Sequence, residues 1–413
     1  MQPAHADSSS DSWGAFRHRG FRLFWVSRVL AQFSTQVLSV SVGWQVYDLT
    51  RDPFDLGLVG LVQFAPALLL VLVTGSVSDR FNRRAIVTIC TLVEGACGLA
   101  LLLLSLRGVT NVAAIFAVLV LFGSARAFMN PAASSLVPNL VPVPHLASAI
   151  ALSTGSWQVA TIVGPVAGGL LYGVAPEAAY GTGVALFLVS AVLVALVPRP
   201  PQKTVNERAS WETVVAGFRF VWHEKVVFGA ISLDLFAVLL GGAVALLPAY
   251  ARDILDVGPW GLGILRSATG VGAMSVAAYL AVRPVRDHAG IIMFISVGLF
   301  GVFNLVFGFS TTVWLSALAL ALAGAADMVS VYVRETMIQL WTPDAVRGRV
   351  NAVNMVFVGA SNELGEFRAG TVAALLGIVP AVVIGGVGTL AVAGLWAWWF
   401  PGIRNTRRLD GRR

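Results

Sequence analysis

The chain has 413 residues, of which 57% are hydrophobic and only 12% charged, with a formal net charge of +7. Soluble domains carry about 25% charged residues, so this chain has too little charge to clothe a water-soluble fold of its length. The composition excludes an ordinary soluble enzyme and predicts one integral membrane bundle.

The N-terminal stretch MQPAHADSSSDSW is polar and acidic and lacks the apolar core of a secretory signal, so it is expected to be a short disordered stretch within a cytosolic N-terminal tail, 1–22. A helix crosses the hydrocarbon core with about 20 apolar residues. In chain order the candidate spans are Leu23–Tyr47, Leu56–Val77, Ala85–Leu106, Val112–Ala133, Leu146–Val174 and Gly181–Val197. A second set follows at Val226–Tyr250, Gly261–Val282, Ile291–Phe309, Val313–Val333, Val350–Leu376 and Ala381–Phe400. The expected fold class is therefore all-α integral membrane, twelve transmembrane helices in two six-helix bundles at 23–197 and 226–400. The linker 198–225 holds a proline-rich stretch. An amphipathic interfacial helix follows, with Ser210 as N-cap and Trp211, Val214, Val215, Phe218, Val221 and Trp222 at helical spacing. A basic cytosolic tail, 401–413, closes the chain.

With both termini cytosolic, 21 of the 28 Lys and Arg fall in inner segments, 3 in outer loops and 4 inside spans. That asymmetry is the positive-inside pattern. It accounts for the net positive charge without a nucleic-acid partner. Cys90 and Cys97, the two cysteines, share one apolar run and read as packing residues. No metal cluster and no phosphate-binding loop of the G-x-x-x-x-G-K-[ST] kind is present, so no cofactor is expected.

The halves align as copies. A shift of 201 residues lays Pro142 on Pro343, Ala151 on Ala352, Gly164 on Gly365 and Gly169 on Gly370. Further upstream a shift of 204 lays Gly57 on Gly261 and Leu58 on Leu262, each shortly after an aspartate, Asp48 or Asp253. Six plus six helices in parallel repeat is the plan of a large class of transporters.

The turn between spans 2 and 3 reads GSVSDRFNRR, a burst of charge between two uncharged runs. It resembles the loop signature of the major facilitator superfamily: a glycine, then Asp-Arg, then paired basic residues. Asn82 stands where that family commonly has a second glycine. The stretches GSARAFMNPAASSLVPNLVP and TPDAVRGRVNAVNMVFVGASNELGEFRAG are similar to its enterobactin-exporter-like branch. The resemblance runs from about residue 20 to residue 400. It implies that Gly75, Asp79, Arg80, Arg83 and Arg84 form a cytosolic latch between the halves, whereas Asp79 as a plain helix cap is the competing reading. It also implies that helices 1, 4, 7 and 10 line a central cavity. The run with Gly164, Pro165, Gly168 and Gly169 in helix 5 is similar to exporter patterns, although close packing explains it equally well.

A charge at the centre of a membrane helix costs at least about 2.5–3.5 kcal/mol, so intramembrane charges are the leading site candidates. Helices 1 and 4 carry Arg28 and Arg126; helices 7 and 10 carry Asp234 and Asp327. Arg126 and Asp327 are related by the 201-residue shift. Opposite signs on opposite halves suit a breakable gate, with static pairs inside one half as the alternative. Gln32 and Gln36 follow Arg28 on helix 1, Asn130 follows Arg126 on helix 4, and Asn354 is expected on the inner cavity face of helix 11. Glu363, Glu366 and Arg368 on helix 11 and Arg266 on helix 8 suit an outer gate or mutual pairing, while Glu94 on helix 3 shows no partner in sequence. His5, His18, His145, His223 and His288 all fall in cytosolic segments, so any proton coupling rests on carboxylates. Asp234 is the first choice, then Asp327, Glu363 and Glu366.

The reading is a monomeric secondary active transporter of the bacterial plasma membrane. It would export a lipophilic or siderophore-like small molecule by proton exchange. An importer or uniporter of the same fold is the alternative. A receptor would not need the repeat, and an intramembrane enzyme lacks its catalytic cluster.

Overall fold

The computed structural model describes residues 13–108, 110–199 and 218–407, and among these the regular structure is entirely helical. Twelve long helices follow one another: α1 (Arg19–Thr50), α2 (Pro53–Arg80), α3 (Arg83–Leu106), α4 (Val112–Leu140), α5 (Val143–Val174), α6 (Pro176–Ala195), α7 (Lys225–Gly241), α8 (Pro259–Val282), α9 (Ala289–Phe309), α10 (Val313–Trp341), α11 (Asp344–Leu376) and α12 (Ile378–Trp399). Their starts carry local signals. Asp52 caps α2 through Phe54 N–H with Pro53 behind it, Asn82 caps α3 through Ala85 N–H, and Asn111 caps α4 through Ala113 N–H. Asn82 therefore replaces the family's glycine as a capping residue in an extended conformation, not as a left-handed turn.

Ten segments among the described residues are long and apolar enough to cross a membrane, counting Lys225–Asp253 as one; α1 and α11 fall short. Those two helices have 32 and 33 residues. At a rise of about 1.5 Å per residue they outreach a core of about 30 Å, so polarity alone sets them apart. They carry Gln32, Thr35 and Gln36, and Asn354, Glu363 and Glu366.

Several expected boundaries shift. The seventh span is broken: α7 stops at Gly241–Gly242, and the chain resumes in a single 3-10 turn and the short helix Leu247–Asp253. A glycine pair is a usual place for such a break. Helices α4 and α10 run on past the expected ends to Leu140 and Trp341. Within the expected tail 1–22, a turn at Gly14–Arg17 buries Ala15 and sets Phe16 against Phe21 and Trp25, and α1 begins at Arg19; residues 1–12 lie outside the described residues. Of the interfacial helix, residues 218–223 are helical, with Phe218 stacked on Trp222 and Phe357. Ser210, Trp211, Val214 and Val215 lie outside the described residues, as does the tail from 408 onward.

Two bundles result. Within the first, α1 packs on α5 and α6, α4 on α2 and α3, and α3 on α6; within the second, the equivalent pairs α7–α11, α7–α12, α10–α8, α10–α9 and α9–α12 recur. The halves meet along two seams, α2–α11 and α5–α8. Both are zipped by glycine. A Cβ on Gly263 would stand 2.6 Å from the Pro165 carbonyl oxygen, one on Gly370 2.7 Å from that of Pro53, and one on Gly57 3.1 Å from Phe367 Cα. Gly169 presses on the Pro259 carbonyl in the same way. Small residues are what allow backbones this close.

All these contacts lie toward the face opposite the chain termini, here called the far face. Toward the terminal face the same helices lose this close approach, and the space beside Gly75 on α2, Gly155 on α5 and Gly348 on α11 is open. The halves are joined at the far face and part toward the terminal face.

Candidate functional site

A cavity of about 130 Å3 opens in the first half between α1, α2, α3, α4 and α5, with Gln32, Gln36, Gln63, Arg126 and Trp157 among its lining residues. Its wall also includes Leu101, Leu119 and Phe122, so one polar flank faces one apolar flank. Several polar groups are already engaged. Gln36 donates to Thr161 Oγ1 at 3.4 Å, Gln63 to the Val59 carbonyl at 3.1 Å, and Ser39 accepts from Arg266 at 2.7 Å. Arg126 makes no hydrogen bond or ion pair among the described residues.

Arg126 of this wall belongs to a group of three charges with Arg28 and Glu94. Glu94 on α3 is fully buried, and neither of its oxygens accepts a hydrogen bond. Arg28 on α1 and Arg126 on α4 are near enough for their charges to act on it, yet neither forms a direct ion pair with it. Arg28 instead donates to the thioether of Met129 at 3.2 Å, a weak acceptor. Glu94, which shows no partner in sequence, thus belongs with the two arginines.

The second half arranges its charges differently. Arg334 on α10 is 3% exposed and forms a direct ion pair with Asp234 on α7. Glu335 lies 3.7 Å from the same guanidinium and accepts from Asn354 at 2.8 Å. Asp234 is therefore held inside its own half, away from Arg28 and Arg126. Asp327 makes no hydrogen bond or ion pair among the described residues, and Arg126 is not beside it. Asn354 is buried against α10, not displayed on the cavity face as expected. Asn130 is exposed and its side chain forms no part of the cluster.

Between the halves, Glu363 and Glu366 of α11 sit together over α2. Their carboxylate oxygens lie 2.5 and 2.9 Å from the point a Cβ on Gly60 would occupy, so no bulkier residue than glycine leaves both in place. Arg266 from α8 and Arg126 from α4 act on Glu363, and Arg266 acts on Glu366. Arg266 itself is bonded to Ser39 of α1 and forms no direct ion pair with either carboxylate among the described residues. Arg368 turns away and donates to the Leu240 carbonyl.

Two bundles with paired repeat contacts, a polar cavity and charges at their joint describe a carrier, and the comparisons agree. A family model described as transmembrane secretion effector matches residues 10–404. The chain belongs to that family, in the major facilitator superfamily. It is 25% identical over 406 residues to the enterobactin exporter of Escherichia coli (strain K12), covering 95% of this chain and 94% of the relative. To the enterobactin exporter of Shigella boydii serotype 18 it is 25% identical over 390 residues, covering 91% and 90%. Among solved structures, a bacterial homologue of the iron transporter ferroportin in its inward-facing state superposes with a TM-score of 0.71 at 15% identity, covering 94% of this chain and 99% of that one. A nucleoside transporter gives a TM-score of 0.69 at 15% identity, covering 92% and 99%. This chain is accordingly a multi-pass membrane transporter, not an enzyme.

At the turn between α2 and α3, Arg83 and Arg84 bond to carbonyls of their own half. Arg83 donates to the Ser135 carbonyl of α4 at 3.0 Å and Arg84 to that of Val197 at 2.7 Å, while Arg80 is exposed and the space beside Gly75 is open. The side chain of Asp79 lies outside the described residues. In α5, Gly164 and Gly168 press on Gln36 and Val37 of α1, Gly169 reaches α8, and the Pro165 carbonyl faces Gly263.

Two sets of residues escape sequence reasoning. Arg334 counts as a loop charge if helix 10 ends at Val333, although VYVRETMIQLW keeps helical spacing of apolar residues up to Pro343. At the far face Arg252 pairs with Asp48, Arg51 lies 3.3 Å from Asp253, and Tyr47 donates to Asp253. Each half thus offers an acid and a base to the other. Asp48 and Asp253 already stand out as repeat mates, which is the signal for this pairing.

Proposed function

We propose that this transporter exports an amphipathic small molecule from the cytosol across a bacterial plasma membrane, with protons as the coupling ion. The observation that carries the reading is the carboxylate pair Glu363–Glu366. It lies on the joint between the halves, within the influence of Arg266 and Arg126, next to a polar cavity. A proton on that pair weakens its attraction to arginines of two other helices, so proton loading bears directly on whether the halves stay joined. Asp234 is less suited to the task because Arg334 holds it as a buried partner. The direction of transport is supported by the enterobactin exporters among the relatives and by the secretion family itself. Positive charge gathered at the terminal face supports cytosolic termini, and with that orientation the structure is open inward and closed outward. An apolar cavity wall beside amides and one guanidinium suits a molecule with an aromatic or aliphatic body and a polar end. A single chain contains the whole cavity, which supports a monomer.

Inside-out membrane vesicles test this. On energisation they should accumulate lipophilic fluorescent probes carrying an acidic group, lose them on addition of an uncoupler, and fail to accumulate them with Glu363→Gln/Glu366→Gln at equal expression. Accumulation that ignores the uncoupler, or uptake seen only in right-side-out vesicles, contradicts proton-coupled export.

A further inference from the structure

We infer that the cavity beside α4 is an anion site, and that the acidic group of its ligand takes Arg126 from Glu363. The inference rests on the transporter reading only in treating this cavity as the place where cargo is loaded.

Unengaged chemistry in the wall gives the ligand class. Of the polar side chains lining the cavity, Thr35, Gln36, Ser39 and Gln63 have hydrogen-bond partners. The groups with none among the described residues are the Arg126 guanidinium, the Gln32 amide and the Trp157 indole N–H. Arginine and indole are donors only, and an amide can donate twice. The lining therefore offers one permanent cation and no carboxylate, with the amide oxygens of Gln32, Gln36 and Gln63 as neutral acceptors. A cationic ligand meets a like charge and no carboxylate in the lining. An acid with an apolar body meets the guanidinium on one side and Phe122, Leu119 and Leu101 on the other.

Why Arg126 is free to serve follows from its neighbours. Glu94 approaches from α3 and Glu363 from α11, but neither closes to a direct ion pair, unlike Asp234 with Arg334. Arg126 thus sits between one carboxylate of its own half and one of the other half. A ligand acid that engages it removes a cross-half attraction that a proton on Glu363 would also remove. The groups around Glu363 are few. Its own helix supplies Glu366, α4 supplies Arg126 and α8 supplies Arg266. Helix α2 has no ionisable residue between Asp55 and Asp79, and α12 has none at all. Helix α7 carries Lys225 at its terminal-face start and Asp234, held by Arg334, and α10 adds Asp327 and Glu335, the latter bonded to Asn354.

Binding of three monosubstituted benzene probes of different charge to the purified full-length protein in lipid nanodiscs tests the inference without any transport assay. Benzenesulfonate stays anionic throughout, benzenesulfonamide is neutral and benzylamine is cationic. Benzenesulfonate should bind saturably, and benzylamine should not. Arg126→Gln should weaken sulfonate binding by about tenfold or more, the loss of one charge-assisted contact, while leaving the sulfonamide unchanged. Sulfonate affinity should rise from neutral to mildly acidic pH in the wild type. Glu363→Gln should bind it more tightly at neutral pH and show a flattened pH profile. If Arg126→Gln does not fold, Arg126→Lys serves, with sulfonate binding retained but weakened. No sulfonate binding, benzylamine binding as well as the sulfonate does, or a pH profile unchanged by Glu363→Gln overturns the inference. Export by the vesicle assay can stand or fall independently of these results.

Discussion

Arg28 and Arg126 in the first half and Asp234 and Asp327 in the second stand on corresponding helices with the signs reversed, and Glu94 of α3 joins the first set as Arg334 of α10 joins the second. They are built to different ends. In the second half Arg334 and Asp234 are in direct contact and almost wholly buried, so each neutralises the other where water cannot. In the first half a fully buried carboxylate has no hydrogen bond and two arginines stand near it without closing. A closed buried pair holds helices together, and breaking it leaves a bare charge. An open cluster beside a cavity keeps its charge available. On the function proposed above, the second half would supply a rigid frame and the first half the cation that meets cargo.

The sharpest way to break that division is to remove one partner of the closed pair. Arg334→Leu leaves Asp234 buried and alone, at a cost of about 3–5 kcal/mol, and should show as a large fall in thermal midpoint in detergent. Asp234→Leu/Arg334→Leu together should recover most of it, because no bare charge remains. Loss of stability in the double variant equal to that in the single would mean that the pair is not the frame. A smaller effect is expected at the glycine seams. Gly263→Leu drives a side chain into the Pro165 carbonyl and should cost about 1–3 kcal/mol, in the far-face-closed state alone. Labelling of Phe54→Cys by an impermeant maleimide from the far side should rise accordingly, whereas unchanged labelling would show the seam to be slack. The least effect belongs to the far-face pairs. Arg51 and Asp253 are substantially exposed, and an exposed pair is worth about 0.2–1 kcal/mol and is screened by salt. Arg51→Gln should raise the same labelling slightly at low salt and not at high salt.

The fold was legible because a bilayer allows few ways to satisfy a backbone, and hydropathy with basic asymmetry reads them directly. The charged positions were legible too, since Arg28, Arg126, Asp234 and Asp327 break apolar runs. Partnership was not. Arg334 lies one residue past the apolar window that ends at Val333, and only the continuation of α10 to Trp341 carries it inward. The break at Gly241–Gly242 escaped for a related reason: composition stays apolar through it, so hydropathy cannot see it. Glu94 could be seen but not placed, because the rotation of α3 against α1 and α4 is set by packing along the whole helix. Gly60 is the clearest case. Nothing in its neighbourhood in sequence says that two carboxylates from a helix some three hundred residues later rest on it.

The central claim is that the halves, joined at the far face here, exchange that closure for one at the terminal face. Distances between paired spin labels test it most directly, in a background where the buried Cys90 and Cys97 are replaced by alanine. One pair goes on Asp52 and Leu376 at the far face, the other on Val143 and Val282 at the terminal face, all exposed positions. Titration from neutral to mildly acidic pH, with and without benzenesulfonate, should move the two distances in opposite senses, the far-face pair lengthening as the terminal-face pair shortens. Distances that change together, or a far-face pair that stays short under every condition, would contradict the account.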